Sequence, residues 1–277
     1  MKKNTLRLGA AVAEDAWSAE RQHTVARIAL GRSGVSLPTR QTLAFALDHA
    51  RARDAVHGEL DTQALARELA GHGLPVLQVH SAAPDRACYL QRPDLGRKLA
   101  PDARLALQAA APAGGCDLVL VLGDGLSARA VASHAPRLLE ALAPALRGEG
   151  WSLGPLVLAS QARVALGDEV GVVLGARMLV MLIGERPGLS SPDSLGVYLT
   201  AAPRVGLNDA ARNCISNVRP EGLSYPLAAY KLMWLLRAAW RDGSGVALKD
   251  GSAAEAAYLA LQAIEGGQRG GGKPVIC

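Results

Sequence analysis

The stretch DLVLVLGDGLSARAVASHAPRLLEALAPALRGEG, residues 117–150, decides the fold. Its first seven residues are a nearly unbroken apolar run ending in Gly123, without the alternation of a half-exposed strand. Such a run suits a strand buried on both faces. GDGLSA (123–128) then breaks the pattern, and 126–150 reads as an amphipathic helix. The same succession recurs along the chain. LPVLQVH (74–80), PLVLAS (155–160), RMLVMLIG (177–184) and SLGVYLTA (194–201) are further strand candidates. PDLGRKLAPDARLALQAAA (93–111) and GDEVGVVLGA (167–176) read as helices. Doubly buried strands separated by helices predict an α/β fold: a mostly parallel, Rossmann-like sheet flanked by helices.

A helical N-terminal region precedes this sheet. WSAERQHTVARIAL (17–30) and TRQTLAFALDHARARDAVHGEL (39–60) place apolar residues three and four apart. GRSGVSLPTR (31–40) separates them, with Ser36 or Thr39 as the start of the second helix. The chain returns to helix at 225–242 and 251–266, and its Gly-rich end, 266–277, has the composition of a disordered tail. The expected division is a helical region 1–72, an α/β domain 73–250, and a C-terminal extension or flexible tail 251–277. No internal repeat is visible.

With 49% hydrophobic and 20% charged residues, 277 residues make a soluble globular protein with a sizeable core. The net charge of +5 is spread among acids without a basic run, which reads as solvated surface and argues against nucleic-acid binding. Cysteines 88, 116, 214 and 277 have neither metal-ligand nor redox-motif spacing. The start, MKKNTLRLGAAVAEDAW, is basic but has no long apolar core before Glu14 and Asp15. No segment approaches about 18 uninterrupted apolar residues. These features predict a cytoplasmic protein with free thiols and no membrane partner.

Ligands of such sheets gather at the carboxyl ends of the strands, and three segments carry polar chemistry there. Gly123, Gly125 and Ala128 fit a permissive G-x-G-x-x-A turn that admits a phosphate to a helix N-terminus. The confirming acid is missing: PLVLAS ends in Ser160, and no acid follows until Asp168. A tight turn capped by Asp124 explains the same residues. Next, Glu185 and Arg186 end a hydrocarbon run and meet the break Pro187-Gly188, as a ligand rim or as a surface ion pair. Last, RNCISNVRPEG (212–222) carries Cys214, either a buried packing residue or a nucleophile in need of a base. The histidines, at 23, 49, 57, 72, 80 and 134, form no recognisable dyad, and Ser127 and Ser216 lack a G-x-S-x-G elbow. The sequence holds polar strand ends without a complete catalytic set, as a binding subunit would.

Five segments taken in order, VARIALGRSGVSLPTRQTLAFALDHARARDAV, YLQRPDLGRKL, GDGLSA, ARVALGDEVGVVLGARMLVMLIGERPGL and RNCISNVRPEG, resemble the small (light) subunit of ethanolamine ammonia-lyase over about residues 15–250. The resemblance implies a complex that converts ethanolamine to acetaldehyde and ammonia by adenosylcobalamin-dependent radical chemistry. A large TIM-barrel subunit holds ethanolamine, and the small subunit covers part of the cofactor at the interface, with no catalytic residue of its own. It implies cofactor contacts from Val164 in ARVALGDE, Glu185 in GERPG and Cys214 in CISN. The D-x-H-x-x-G motif that supplies a histidine to cobalt is absent, which agrees with base-on cofactor, and no protein ligand to metal is implied. Some relatives carry a leader for packaging in a bacterial microcompartment; this N-terminus shows no clear one. The alternative function is a stand-alone nucleotide-binding α/β enzyme using the Gly123–Ala128 turn, and a third is a purely structural partner protein.

Overall fold

The structure, a computed structural model, describes residues 12–242. By its internal contacts the chain divides into two compact units. Among the described residues, one comprises 12–54 with Gly188–Pro192; the other comprises Ala55–Pro187 and 193–242. The helix and Gly-rich tail expected at 251–277 lie outside the described residues.

In the smaller unit the helix expected over 17–30 is not formed. Only Ser18–His23 makes a short 3-10 turn, and 24–38 has no regular helix. Backbone groups there pair across the chain instead, Ala13 N with Arg32 O at 2.7 Å and Arg32 N with Ala13 O at 2.9 Å. Val25 is 85% exposed. A short helix needs an apolar face to bury, and this segment finds none. The next helix, α1, is Thr39–His57 and starts behind Pro38, whose carbonyl accepts from the amides of Gln41 and Thr42. Arg27 pairs with Asp48 at 2.6 Å and lies over the Phe45 ring.

The larger unit begins with α2, Thr62–Leu69, and β1, Val76–His80. Then come α3 (Arg86–Gln91), α4 (Pro101–Ala109), β2 (Cys116–Gly123), α5 (Ala128–Glu149) and β3 (Leu153–Ser160). After them follow α6 (Leu166–Val173), β4 (Ala176–Gly184), β5 (Leu195–Ala201), β6 (Asn213–Val218) and α7 (Tyr225–Asp242). The strands form one sheet in the order β1-β3-β2-β4-β5-β6. The first four are mutually parallel, and β5 runs antiparallel to both its neighbours. The mostly parallel α/β sheet predicted from the sequence is therefore present.

The apolar runs follow from two covered faces. Leu118, Leu120 and Leu122 point into a core shared with α2, α5 and α7. Val119 and Val121 point into a second core with α4 and α6. Alternate residues of one strand thus serve opposite cores, and every position is apolar. The connections β1→β2 and β3→β4 step one way across the sheet and carry α4 and α6. The connection β2→β3 steps back and carries α5 on the other face. A common hand of crossover requires that segregation.

β6 was not among the expected strands, because it is an edge strand with one covered face. Ile215 and Val218 are buried; Cys214, Ser216 and Asn217 are exposed. Half of its residues are therefore polar, and a search for doubly buried runs passes over it. Among the described residues no helix is long and apolar enough to cross a membrane.

Candidate functional site

Val164, Glu185 and Cys214 all fall in the larger unit. Val164 lies in the loop between β3 and α6, half-buried against the α4–α6 core. Glu185 directly follows β4. Cys214 is the second residue of β6 and pairs in register with Tyr198 of β5, which in turn pairs with Met181 of β4. Met181 and Tyr198 join the same α4–α6 core, so Cys214 shares that face of the sheet. The opposite face of β6, bearing Ile215 and Val218, is buried. On the Cys214 face the strand is open to solvent.

Glu185 ties three strand ends together. Its amide donates to the Ser194 carbonyl at 3.0 Å, and Ser194 Oγ donates to Glu185 Oε2 at 2.6 Å. The amide of Asn217 is shared between Oε1 and Oε2 at 3.3 and 3.2 Å. Asn217 holds this geometry at φ 60°, a left-handed conformation that asparagine tolerates better than most residues. A side chain on Gly196 would meet Glu185 Cγ at 3.1 Å and Tyr198 Cε2 at 3.4 Å, so glycine there lets these two groups flank one spot. A carboxylate has about four acceptor directions. Three contacts from two donors leave this half-exposed one with capacity for an outside donor. Arg186 is exposed, and Glu185 is bound to Ser194 and Asn217 instead of forming the surface pair considered from sequence.

Cys214 is exposed, which corrects the reading of a buried packing cysteine. Its sulfur lies 3.3 Å from Ser216 Oγ. Tyr198, half-buried beside it, is raised above the ordinary phenol range, first by burial and then by the neighbouring Cys214 thiol. Tyr198 therefore stays a neutral donor at the floor of the open face. In sequence it looked like one more apolar strand residue.

The Val164 loop is fixed from several sides. The amides of Gln161 and Ala162 donate to Asp124 Oδ2 and Oδ1, both at 2.9 Å. Tyr89 Oη donates to the Ala162 carbonyl at 2.9 Å, and the Arg163 amide donates to the Gly96 carbonyl at 2.8 Å. Burial pushes the Asp124 carboxyl up, against the Ala162 amide and Arg86. Arg86 Nη1 reaches Asp124 at 3.3 Å and the Gly125 carbonyl at 2.9 Å. The guanidiniums of Arg86 and Arg163 lie 4.8 and 4.4 Å from the Tyr89 ring centre, a cation–π pairing.

These contacts account for the Gly123–Ala128 turn without a phosphate. Ser127, not Asp124, caps α5, its side chain accepting from the Ala130 amide at 3.3 Å. Asp124 is spent on the neighbouring loop. Gly125 sits at φ 55°, and any side chain there would strike the Gly184 carbonyl of β4.

Sequence reasoning also missed a buried pair beside the site. Arg212, two residues before Cys214, meets Asp168 of α6 through two contacts of 2.5 and 2.7 Å. Burial works against the charge on Arg212, but the Asp168 hydrogen bonds and charge outweigh it and hold its pKa above the ordinary range. The partners are far apart in sequence and each reads as a surface residue; no local signal links them.

Comparison with known proteins gives a coherent result. The family model described as ethanolamine ammonia-lyase light chain matches residues 14–249. The ethanolamine ammonia-lyase small subunit of Ralstonia nicotianae is 60% identical over 263 residues, covering 94% of this chain and 95% of its own length. That of Azotobacter vinelandii is 60% identical over 240 residues, with 86% and 89% covered. That of Pseudomonas aeruginosa is 56% identical over 266 residues, with 95% of each chain covered.

Proposed function

The chain belongs to the ethanolamine ammonia-lyase light-chain family, and from that premise we propose that it is the non-catalytic, cofactor-binding subunit of an adenosylcobalamin-dependent ethanolamine ammonia-lyase. Adenosylcobalamin supplies the radical chemistry that turns ethanolamine into acetaldehyde and ammonia. In this reading the large subunit holds ethanolamine, and this chain closes part of the cofactor's surroundings from the cytoplasmic hetero-oligomer's small-subunit side.

The observation that carries the reading is the open face formed by Glu185, Tyr198 and Cys214, on the same side of the sheet as Val164. Its chemistry fits a corrin. The macrocycle is broad and apolar in its middle and is fringed by amides. Val164 and Cys214 offer contact without demanding a hydrogen-bond partner, and Glu185 has acceptor capacity left for an amide N–H. None of the three must exchange a proton or form a bond. The protein's part is binding, orientation and exclusion of water, as is usual where the cofactor carries the chemistry.

The large-subunit interface has support in the smaller unit. Trp17, Val35, Leu37, Leu43, Phe45 and Leu47 are between 47% and 102% exposed, large apolar side chains available to a protein partner. Co-purification tests the whole reading. A large partner chain and a red corrinoid should accompany the protein from its natural source. The purified single chain should give no acetaldehyde from ethanolamine until large subunit and adenosylcobalamin are added; turnover by the chain alone would refute the assignment.

A further inference from the structure

We infer that the buried Asp168–Arg212 pair is a positioning pair, which fixes β6 relative to α6 so that Cys214 and Val164 present one surface to the cofactor. The inference rests on the cobalamin reading above. Asp168 lies on α6 four residues after Val164, and Arg212 immediately precedes β6, two residues before Cys214. The Arg212 side chain is 0% exposed and that of Asp168 1%. Beyond the two contacts to Asp168, Arg212 Nη1 donates to Thr200 Oγ1 at 3.0 Å, Nη2 to the Leu207 carbonyl at 3.1 Å and Nε to Asp209 Oδ1 at 3.4 Å. All five N–H groups of the guanidinium are thereby used.

Stability alone does not call for this arrangement. A well-packed apolar pair often serves as well in a protein interior, whereas a fully bonded ion pair tolerates one geometry. The geometry it enforces is the one the site needs. β6 is an edge strand with a single neighbour, and the Cys214 side chain faces solvent, so packing on that side does not fix it. Arg212 supplies the missing restraint. It joins α6 to Thr200, which is two residues from Tyr198 on the same face of β5. Tyr198 in turn is the in-register neighbour of Cys214 across the β5–β6 pair. One guanidinium thus spans the segments that carry two of the three cofactor contacts.

Arg212→Lys keeps the charge and removes the fork. In the complex reconstituted with large subunit, adenosylcobalamin is titrated by its absorption, well below the thermal midpoint of each variant. The expected result is a Kd raised about tenfold. In the chain without cofactor, the modification rate of the Cys214 thiol, read by mass spectrometry of its peptide, should change severalfold. Thr200→Val removes one Arg212 bond with little change in volume. It should move both readouts the same way by less, and it serves as the test if the lysine variant does not fold. A lowered midpoint with Kd and Cys214 reactivity both within twofold of wild type would overturn the positioning role and leave the cofactor reading intact. A wild-type complex that binds no adenosylcobalamin would overturn that reading itself.

Discussion

At Glu185 the carboxylate proposed to meet a corrin amide already accepts from Ser194 Oγ and the Asn217 amide, so a substitution has two effects that must be measured separately. Glu185→Gln should weaken adenosylcobalamin binding about tenfold, the equivalent of losing one charge-assisted hydrogen bond. Glu185→Ala should add a loss of about 1–3 kcal/mol in unfolding free energy, because two donors lose their acceptor. Cofactor titration and thermal denaturation distinguish the two; a lowered midpoint with unchanged Kd would leave Glu185 as a structural tie only. Cys214→Ser should retain most activity of the complex, since among the described residues the exposed thiol has no histidine partner to make it a nucleophile. Cys214→Trp should exclude the cofactor by bulk, and full affinity in that variant would remove Cys214 from the contact set. His134 gives a pH dependence. It is buried, with Nδ1 at 2.9 Å from Tyr225 Oη. Burial holds its pKa below the ordinary value, with Asp193 and Glu221 opposing and Arg219 assisting. The unfolded chain then takes up a proton before the folded one does. Stability from this group is complete above about pH 6.5 and is lost as pH falls toward the lower folded value. His134→Gln should flatten the fall of melting temperature between about pH 7 and 5; an unchanged slope would remove His134 as its source. Of these residues, Glu185 and Cys214 were singled out by motif, whereas the bonds of Glu185 and the exposure of Cys214 were not legible. Both depend on what lies opposite in the sheet.

The elements were readable to the extent that each carries its own boundary signals. β2 and α5 meet at a Gly-Asp-Gly break with a serine cap, and the structure places both within two residues of the expected limits. Ser127→Ala should lower unfolding free energy by about 1 kcal/mol, seen as a lower denaturant midpoint at unchanged slope. The segment 17–30 has helical spacing but no surface on which to lay it, and periodicity cannot reveal a missing partner. β6 fails in the opposite sense. Its pairing with β5 and its buried Ile215 and Val218 make it a strand, although four of its six residues are polar or thiol-bearing. The same polar positions leave its outer face open. The least strand-like segment by composition is therefore the one that bears the candidate site.

For the whole molecule, the family was legible because five segments occur in order over most of the chain, a constraint no single glycine turn supplies. The exposure of Leu43, Phe45 and Leu47, on which the proposed partner contact rests, was not legible, because apolar residues at helical intervals predict burial and these are exposed. Replacing Leu43 and Phe45 by serine should weaken assembly with the large subunit while leaving the melting of the larger unit within about 1 °C, surface apolar changes being nearly neutral for stability. Ultracentrifugation of the mixture checks it, and undiminished assembly would place the interface elsewhere. The reversal of direction at β5 has a further consequence, for how the site breathes. β4, β5 and β6 are neighbours in the chain as well as in the sheet, whereas β1 to β4 are interleaved by crossovers. Short-range pairings can come apart and re-form alone; interleaved ones open together or not at all. Backbone amides of β6 should therefore exchange with deuterium well before those of β2 in the free chain, and slow sharply once large subunit and cofactor are bound. The proposed site, built on the locally reversible end of the sheet, would then admit and release a bulky occupant while the interleaved end keeps its hydrogen bonds.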